Sequence, residues 1–140
     1  MKRRMREVRG LVAGSLTAAV LVSLSACAAF GGGPAYPSVA GAYNGGVSVE
    51  GQAIDGTLEI VQEGPDLTVV FDAPSFGLTA EGDGSVGVDG EARVFLDYDL
   101  QCPGRAELVG EFTDEGTRFA GRMVAVDCTG EINGTFSFRR

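Results

Sequence analysis

The feature of this sequence that most restricts its fold is an alternation of apolar and other residues with a period of two. In the segment 91–100, apolar residues occupy the even positions from Ala92 to Leu100, whereas Arg93 and Asp97 lie at odd positions. Successive side chains of a strand point to opposite faces, so this pattern predicts one packed face and one wet face. Similar alternation occurs at 56–62, 67–71, 105–112, 118–125 and 131–138. No part of 39–140 shows helical spacing, so the sequence predicts an all-β fold.

The segments between these strands are short and rich in Gly, Pro and Asp. Turns of this composition lie at 63–66, 89–90, 102–104, 114–116 and 127–130. Short connections make consecutive strands pair, which gives a meander. Eight or nine strands fit the sequence, with the region 76–88 unassigned. We predict a small antiparallel up-and-down β-barrel of about eight strands, because an even number lets the first and last strands pair antiparallel.

Residues 1–26 have the composition of a secretory signal peptide. Five basic residues lie among the first nine, residues 11–24 carry no charge, and the small residues Ser25 and Ala26 follow. The uncharged run is shorter than the roughly 20 residues that a membrane-spanning helix needs. The sequence therefore predicts an exported protein whose helical signal peptide is cleaved.

The residues around the predicted cleavage site carry a more specific pattern. Leu24-Ser25-Ala26-Cys27 resembles the lipobox of bacterial lipoproteins. The resemblance implies that Cys27 is lipidated and becomes the first residue of the mature protein, which two or more acyl chains would anchor stably to a membrane. Ala28, where inner-membrane lipoproteins have Asp, favours the outer membrane of a diderm cell. The alternatives are an ordinary signal peptide cut near Ala26 or Ala29, and an uncleaved anchor.

Three regions follow from this organisation: a leader at 1–26, a lipidated Cys with a Gly- and Pro-rich tether at 27–38, and one domain at 39–140. About 100 residues suffice for a single small core. Without the leader, six arginines face 18 carboxylates, and the net charge changes from −8 to −12. A mature protein with this net negative charge repels nucleic acid and anionic lipid head groups. We therefore expect no nucleic-acid partner, and membrane contact through the lipid anchor alone.

Two cysteines remain once Cys27 is assigned to lipid. Cys102 and Cys128 lie in alternate turns of the predicted meander, and alternate turns fall at the same end of a barrel. Exported proteins meet an oxidising environment in which such a pair bonds. We predict a Cys102–Cys128 disulfide, which closes a loop large enough to stabilise the fold by about 3 to 4.7 kcal/mol.

Composition excludes most catalytic chemistry. The chain has no His, and its single Lys is Lys2 in the leader, so Ser-His, Ser-Lys and Cys-His arrangements have no base. Asp97 and Asp99 share a strand face at roughly 7 Å, a spacing that suits an inverting glycosidase. The alternative is that both carboxylates solubilise the outer face. Hairpin turns account for the glycine-rich segment 81–85 better than a calcium loop does. We expect no enzyme activity, no metal and no cofactor.

Six aromatic residues are predicted to point inward: Tyr43, Phe71, Tyr98, Phe119, Phe136 and Phe138. They would either line a hydrophobic pocket or fill the barrel, and barrels of eight strands do both. Inward Gly and Ala residues, such as Ala106, Gly110 and Ala125, favour some remaining space.

The sequence also resembles small lipocalin-like or avidin-like barrels. The resemblance rests on Tyr43-Asn44-Gly45, on repeated Gly-x-Leu segments and on Gly134-Thr-Phe-Ser-Phe138. It implies a meander barrel that is able to hold a ligand. The chain has no Trp, whereas the avidin-like pattern lines its cavity with tryptophans, so biotin-type binding is not implied.

Two functional hypotheses follow. In the first, the protein is a membrane-anchored lipoprotein that binds a small apolar ligand in the barrel or at its rim. In the second, it is a structural or interaction protein of the cell envelope that contacts a protein partner through its acidic surface. A hydrolase that uses the carboxylates is a distant third.

Overall fold

Eight antiparallel strands form a closed barrel in the computed structural model, which describes residues 33–140. The strands are β1 (Gly41–Val49), β2 (Gln52–Glu63), β3 (Asp66–Ala73), β4 (Leu78–Val86), β5 (Glu91–Asp99), β6 (Pro103–Thr113), β7 (Arg118–Asp127) and β8 (Gly130–Arg139). Each strand pairs with its neighbours in sequence, and β1 pairs with β8. The predicted eight-stranded up-and-down barrel is confirmed. The signal peptide and Cys27 lie outside the described residues.

Helix is almost absent from this part of the chain. One short 3₁₀ turn, Pro74–Phe76, connects β3 to β4. Within residues 33–140, no helix has the length and hydropathy needed to cross a membrane.

The period-two pattern places the core inside the barrel as predicted. On β2, Leu58 and Ile60 are buried, and the intervening Glu59 is exposed. On β5 the inward positions run from Ala92 to Leu96 and are buried. Leu100, predicted to continue this face, instead follows the end of β5 and is 49% exposed. The strand ends one residue too early for Leu100 to reach the core.

The glycine-rich segment 81–85 is not a turn, and that prediction was wrong. It is the middle of β4, with Glu81 and Asp83 outward and Gly82 and Gly84 on the inward side. A Cβ atom at Gly82 would collide with the carbonyl oxygen of Phe95 on β5. The glycines therefore permit β4 and β5 to approach closely, a role of glycine inside strands.

The two ends of the barrel differ in their connections. The turns β1–β2, β3–β4, β5–β6 and β7–β8 lie at one end. We call it the open end, because a cavity inside the barrel opens there. The other three turns lie at the opposite end, the closed end, with the segment that precedes β1. Gln62 holds this segment there, because its side chain accepts a hydrogen bond from Val39 N–H (2.8 Å) and donates one to the Pro37 carbonyl (2.9 Å). Pro37, at the end of the predicted tether, thus contacts the barrel.

Aromatic rings fill the interior at the closed end. Phe112 and Phe119 stack with their ring centroids 4.2 Å apart, and Phe136 packs on Phe119 at 4.6 Å. Tyr43 meets Phe112 edge-on at 6.0 Å, and its hydroxyl lies 2.8 Å from the Val39 carbonyl and 2.5 Å from the Gly116 carbonyl. Tyr43, Phe119 and Val39 are fully buried here, so the interior of the barrel is packed at this end.

Candidate ligand-binding cavity

The half of the barrel next to the open end encloses a cavity of about 190 Å³. All eight strands contribute to its wall. Lining residues such as Leu58, Phe71 and Phe138 are buried, whereas Gln52 and Leu100 lie at the surface around the entrance. The wall is otherwise made of aliphatic side chains, namely Val47, Val49, Ile54, Leu78, Ala80, Leu96, Ala106, Leu108, Met123, Ala125 and Ile132, together with Tyr98 and Asp127.

The cavity exists because small residues face inward in this half of the barrel. Ala106 on β6 and Ala125 on β7 are cross-strand partners, and both line the cavity. Further toward the closed end, the partners on the same two strands are Gly110 and Gly121. There a Cβ atom at Gly110 would lie only 2.8 Å from the ring of Phe136. The space over the glycines is thus filled by an aromatic ring, whereas the space over the alanines remains open.

The six inward aromatic residues divide between the two alternatives, lining a pocket and filling the barrel. Phe71, Tyr98 and Phe138 line the cavity. Tyr43, Phe119 and Phe136 do not line the cavity, because these side chains fill the barrel at the closed end. Alternation shows which residues point inward but not where in the barrel each ring packs.

Sequence reasoning missed the aliphatic residues that form most of the wall. Leu78, Met123 and Ile132 face inward within a few residues of an open-end turn, and all three line the cavity. For these three aliphatic residues the signal is a short distance from those turns, because inward residues close to one set of turns share one half of the barrel.

A hydrogen-bonded pair, Tyr98 and Asp127, lies at the entrance of the cavity. Tyr98 is on β5 and its cross-strand partner on β6 is Gly104. A Cβ atom at Gly104 would lie 2.5 Å from the Tyr98 ring, so the ring occupies the place where a side chain on β6 would be. The Tyr98 hydroxyl thereby reaches across β6 and donates to Asp127 Oδ2 on β7 at 3.2 Å.

The hydrogen bonds around Asp127 favour its charged form. Thr129 donates to Asp127 Oδ1 from its hydroxyl (2.6 Å) and from its backbone N–H (2.7 Å), and these bonds hold the pKa of Asp127 below its usual value. Burial raises the pKa of Tyr98, and the hydrogen bond to Asp127 raises it further. At neutral pH the entrance therefore carries a carboxylate anion beside a neutral phenol.

A disulfide joins two of the turns at the open end. Cys102 in the β5–β6 turn is bonded to Cys128 in the β7–β8 turn, with their Cα atoms 6.2 Å apart. The structure thus contains the predicted pair, next to Asp127. A carboxylate oxygen of Asp127 and the two sulfur atoms lie within 4.8 Å of one another. Because a disulfide offers no thiolate, this cluster lacks the ligands of a zinc site.

Asp97 and Asp99, the candidate catalytic carboxylates, are exposed on the outside of β5. Arg105 donates two hydrogen bonds to Asp97, at 2.7 and 3.0 Å. These bonds lower the pKa of Asp97, whereas a glycosidase acid needs a raised pKa. The environment of Asp97 therefore does not suit that role.

Comparison with solved structures supports the fold. The structure of a redesigned β-barrel, mFAP1, bound to DFHBI superimposes on this chain with a TM-score of 0.58 and 18% sequence identity. The match covers 73% of this chain and 94% of the other. No protein-family model and no curated protein matches the sequence. The similarity therefore establishes an eight-stranded barrel shared with a solved structure.

Proposed function

We propose that this protein is an exported, lipid-anchored binding protein that holds a small apolar molecule in the open half of its barrel. The observation that carries the proposal is the cavity of about 190 Å³ between the aromatic layer and the open end. Concave, mostly apolar sites with a few polar groups are typical of small-molecule binding, and here Tyr98 and Asp127 are those groups.

The volume limits the size of the ligand. A dry engineered cavity of about 150 Å³ binds benzene, whereas sites for drug-sized molecules measure roughly 300 to 1,000 Å³. The present cavity, at about 190 Å³, lies near the lower of these values. It suits a molecule with one ring, or an apolar segment of that size on a larger molecule that extends through the entrance.

Titration with toluene, followed by NMR, tests this function. We expect toluene to shift the signals of cavity residues such as Leu108 and Met123, which are buried and beyond the reach of surface binding. Ala125→Leu adds three carbon atoms inside the cavity and should abolish these shifts. Filling a cavity in this way commonly preserves or raises stability.

Ala120→Leu is the matched control, since Ala120 lies on the same strand and faces outward. It should leave toluene binding unchanged. Absence of toluene binding to the unmodified protein, or equal binding by Ala125→Leu, would count against the proposal and in favour of an envelope protein that works through its surface.

A further inference from the structure

The geometry points to a specific chemical class of ligand: we propose that the cavity binds a small apolar amine, with its ring in the cavity and its ammonium group against Asp127. This inference rests on the proposed function and adds the polar half of the ligand. It is carried by the composition of the cavity wall, by the acceptor capacity of Asp127 and by the charges around the entrance.

The cavity wall contains one ionisable carboxylate and no base. Among the lining residues within 33–140, Asp127 is the sole acid, Gln52 and Tyr98 are the other polar side chains, and none is Arg, Lys or His. A buried anionic ligand needs a cationic or hydrogen-bonded partner to offset the cost of leaving water. The wall offers an anion instead, so it favours a ligand that carries positive charge at one end.

Asp127 retains the capacity to accept a further hydrogen bond. Both side-chain and backbone bonds from Thr129 end on Oδ1, whereas Tyr98 donates to Oδ2 over 3.2 Å. A carboxylate has about four lone-pair positions on its two oxygens. Oδ2 is thus held in place at the entrance by Tyr98 and remains available to a ligand N–H group.

Apart from one arginine, the charges at the open end, Asp127 among them, are all negative. The turns and strand ends there, residues 47–55, 72–80, 97–106 and 125–133, contain seven carboxylates and one arginine. That arginine, Arg105, is paired with Asp97. Clustered charges of one sign attract small ions of the opposite sign and repel those of the same sign. The entrance therefore favours ammonium ions and disfavours carboxylic acids, including fatty acids.

Four probes share a phenyl group on a two-carbon chain and differ in the terminal group: phenethylamine, 2-phenylethanol, ethylbenzene and phenylacetate. Their affinities separate the contribution of the charged group from that of the apolar part. Affinities are measured by NMR titration of the oxidised domain. A charge-assisted hydrogen bond to Asp127 should make phenethylamine bind about tenfold or more tightly than 2-phenylethanol. Phenylacetate should bind most weakly of the four.

Asp127→Asn tests the residue itself, because it removes the charge and keeps an acceptor for Thr129. It should reduce phenethylamine affinity to that of 2-phenylethanol and leave ethylbenzene affinity within about twofold. Glu131→Gln, a nearby exposed carboxylate outside the cavity wall, is the matched control and should preserve the preference for the amine.

The outcomes distinguish the two proposals. If ethylbenzene binds but phenethylamine shows no advantage over phenylacetate, the amine proposal is wrong and the binding function stands. The same holds if Asp127→Asn binds phenethylamine as tightly as the unmodified protein does. If none of the four probes binds, both proposals fail.

Discussion

At the scale of single residues, Tyr43 connects three parts of the closed end. Its ring packs on Phe112, and its hydroxyl bonds the carbonyl of Val39, before β1, and that of Gly116, in the β6–β7 turn. A hydroxyl has one proton, so the two carbonyls share it. Tyr43 therefore ties the start of the barrel to a turn more than 70 residues further along the chain.

Tyr43→Phe should destabilise the protein by about 1 to 3 kcal/mol, because it leaves buried carbonyl groups without a partner while keeping the ring. Urea denaturation of the purified domain measures this change. Tyr36→Phe, at a partly exposed position, is the control and should change the free energy of unfolding by less than about 0.5 kcal/mol. Equal stability of both variants would contradict the role assigned to the Tyr43 hydroxyl.

The same residue predicts a loss of stability in alkali. Burial raises the pKa of Tyr43, and the nearby Arg140 guanidinium offsets this only partly. The folded state therefore binds the phenolic proton more tightly than the unfolded chain does. The resulting stability is fully present below the unfolded pKa of about 10 and is lost as the pH rises through the higher folded value.

Urea midpoints measured from about pH 8 to about pH 11 should fall, and they should fall less for Tyr43→Phe. The part of the decline that remains in this variant is assigned to Tyr98, whose pKa is also raised. Identical slopes for the two proteins would show that Tyr43 makes no contribution.

At the scale of elements, the disulfide fastens the β5–β6 hairpin to the β7–β8 hairpin, with β6 and β7 between the two turns. The sequence was sufficient to predict this bond, because a meander places alternate turns at one end whatever the register. It was not sufficient to predict β4, since Gly82 and Gly84 resemble turn residues and their role depends on the approach of β5.

Replacing both Cys102 and Cys128 with Ser should lower the free energy of unfolding by about 3.5 kcal/mol, on the chain-entropy account of a loop with a sequence separation of 26. Thermal unfolding with and without reductant measures the effect. The reduced native protein and the double variant should agree closely. A reductant-insensitive native protein would mean that the bond does not support the fold.

At the scale of the whole molecule, the barrel is solid in one half and hollow in the other. Alternation identified the inward face correctly, but where each inward ring packs depends on strand register and on the neighbouring side chains, which short segments leave open. Phe136 fills the space over Gly110 from two strands away. Only a fixed register brings that ring and that glycine together, which is why the sequence left open which inward aromatic residues line a pocket and which fill the barrel.

The predicted anchor also belongs to this scale, and it lies outside the described residues. Cys27→Ala should prevent lipidation, so the protein should move from the detergent phase to the aqueous phase in a detergent partition of cell extracts. The anchor prediction requires that the unmodified protein enters the detergent phase. If the Cys27→Ala protein stays there as well, the lipobox interpretation is wrong.

Gln62 fixes the end of the barrel at which the N-terminal segment lies, and this leaves the cavity entrance at the other end. By fixing Pro37 and Val39 at the closed end, it makes the chain enter the barrel at the pole opposite the cavity entrance. The described segment 34–39 therefore lies away from the cavity entrance. A bound molecule could therefore enter and leave through the open end without any displacement of this segment.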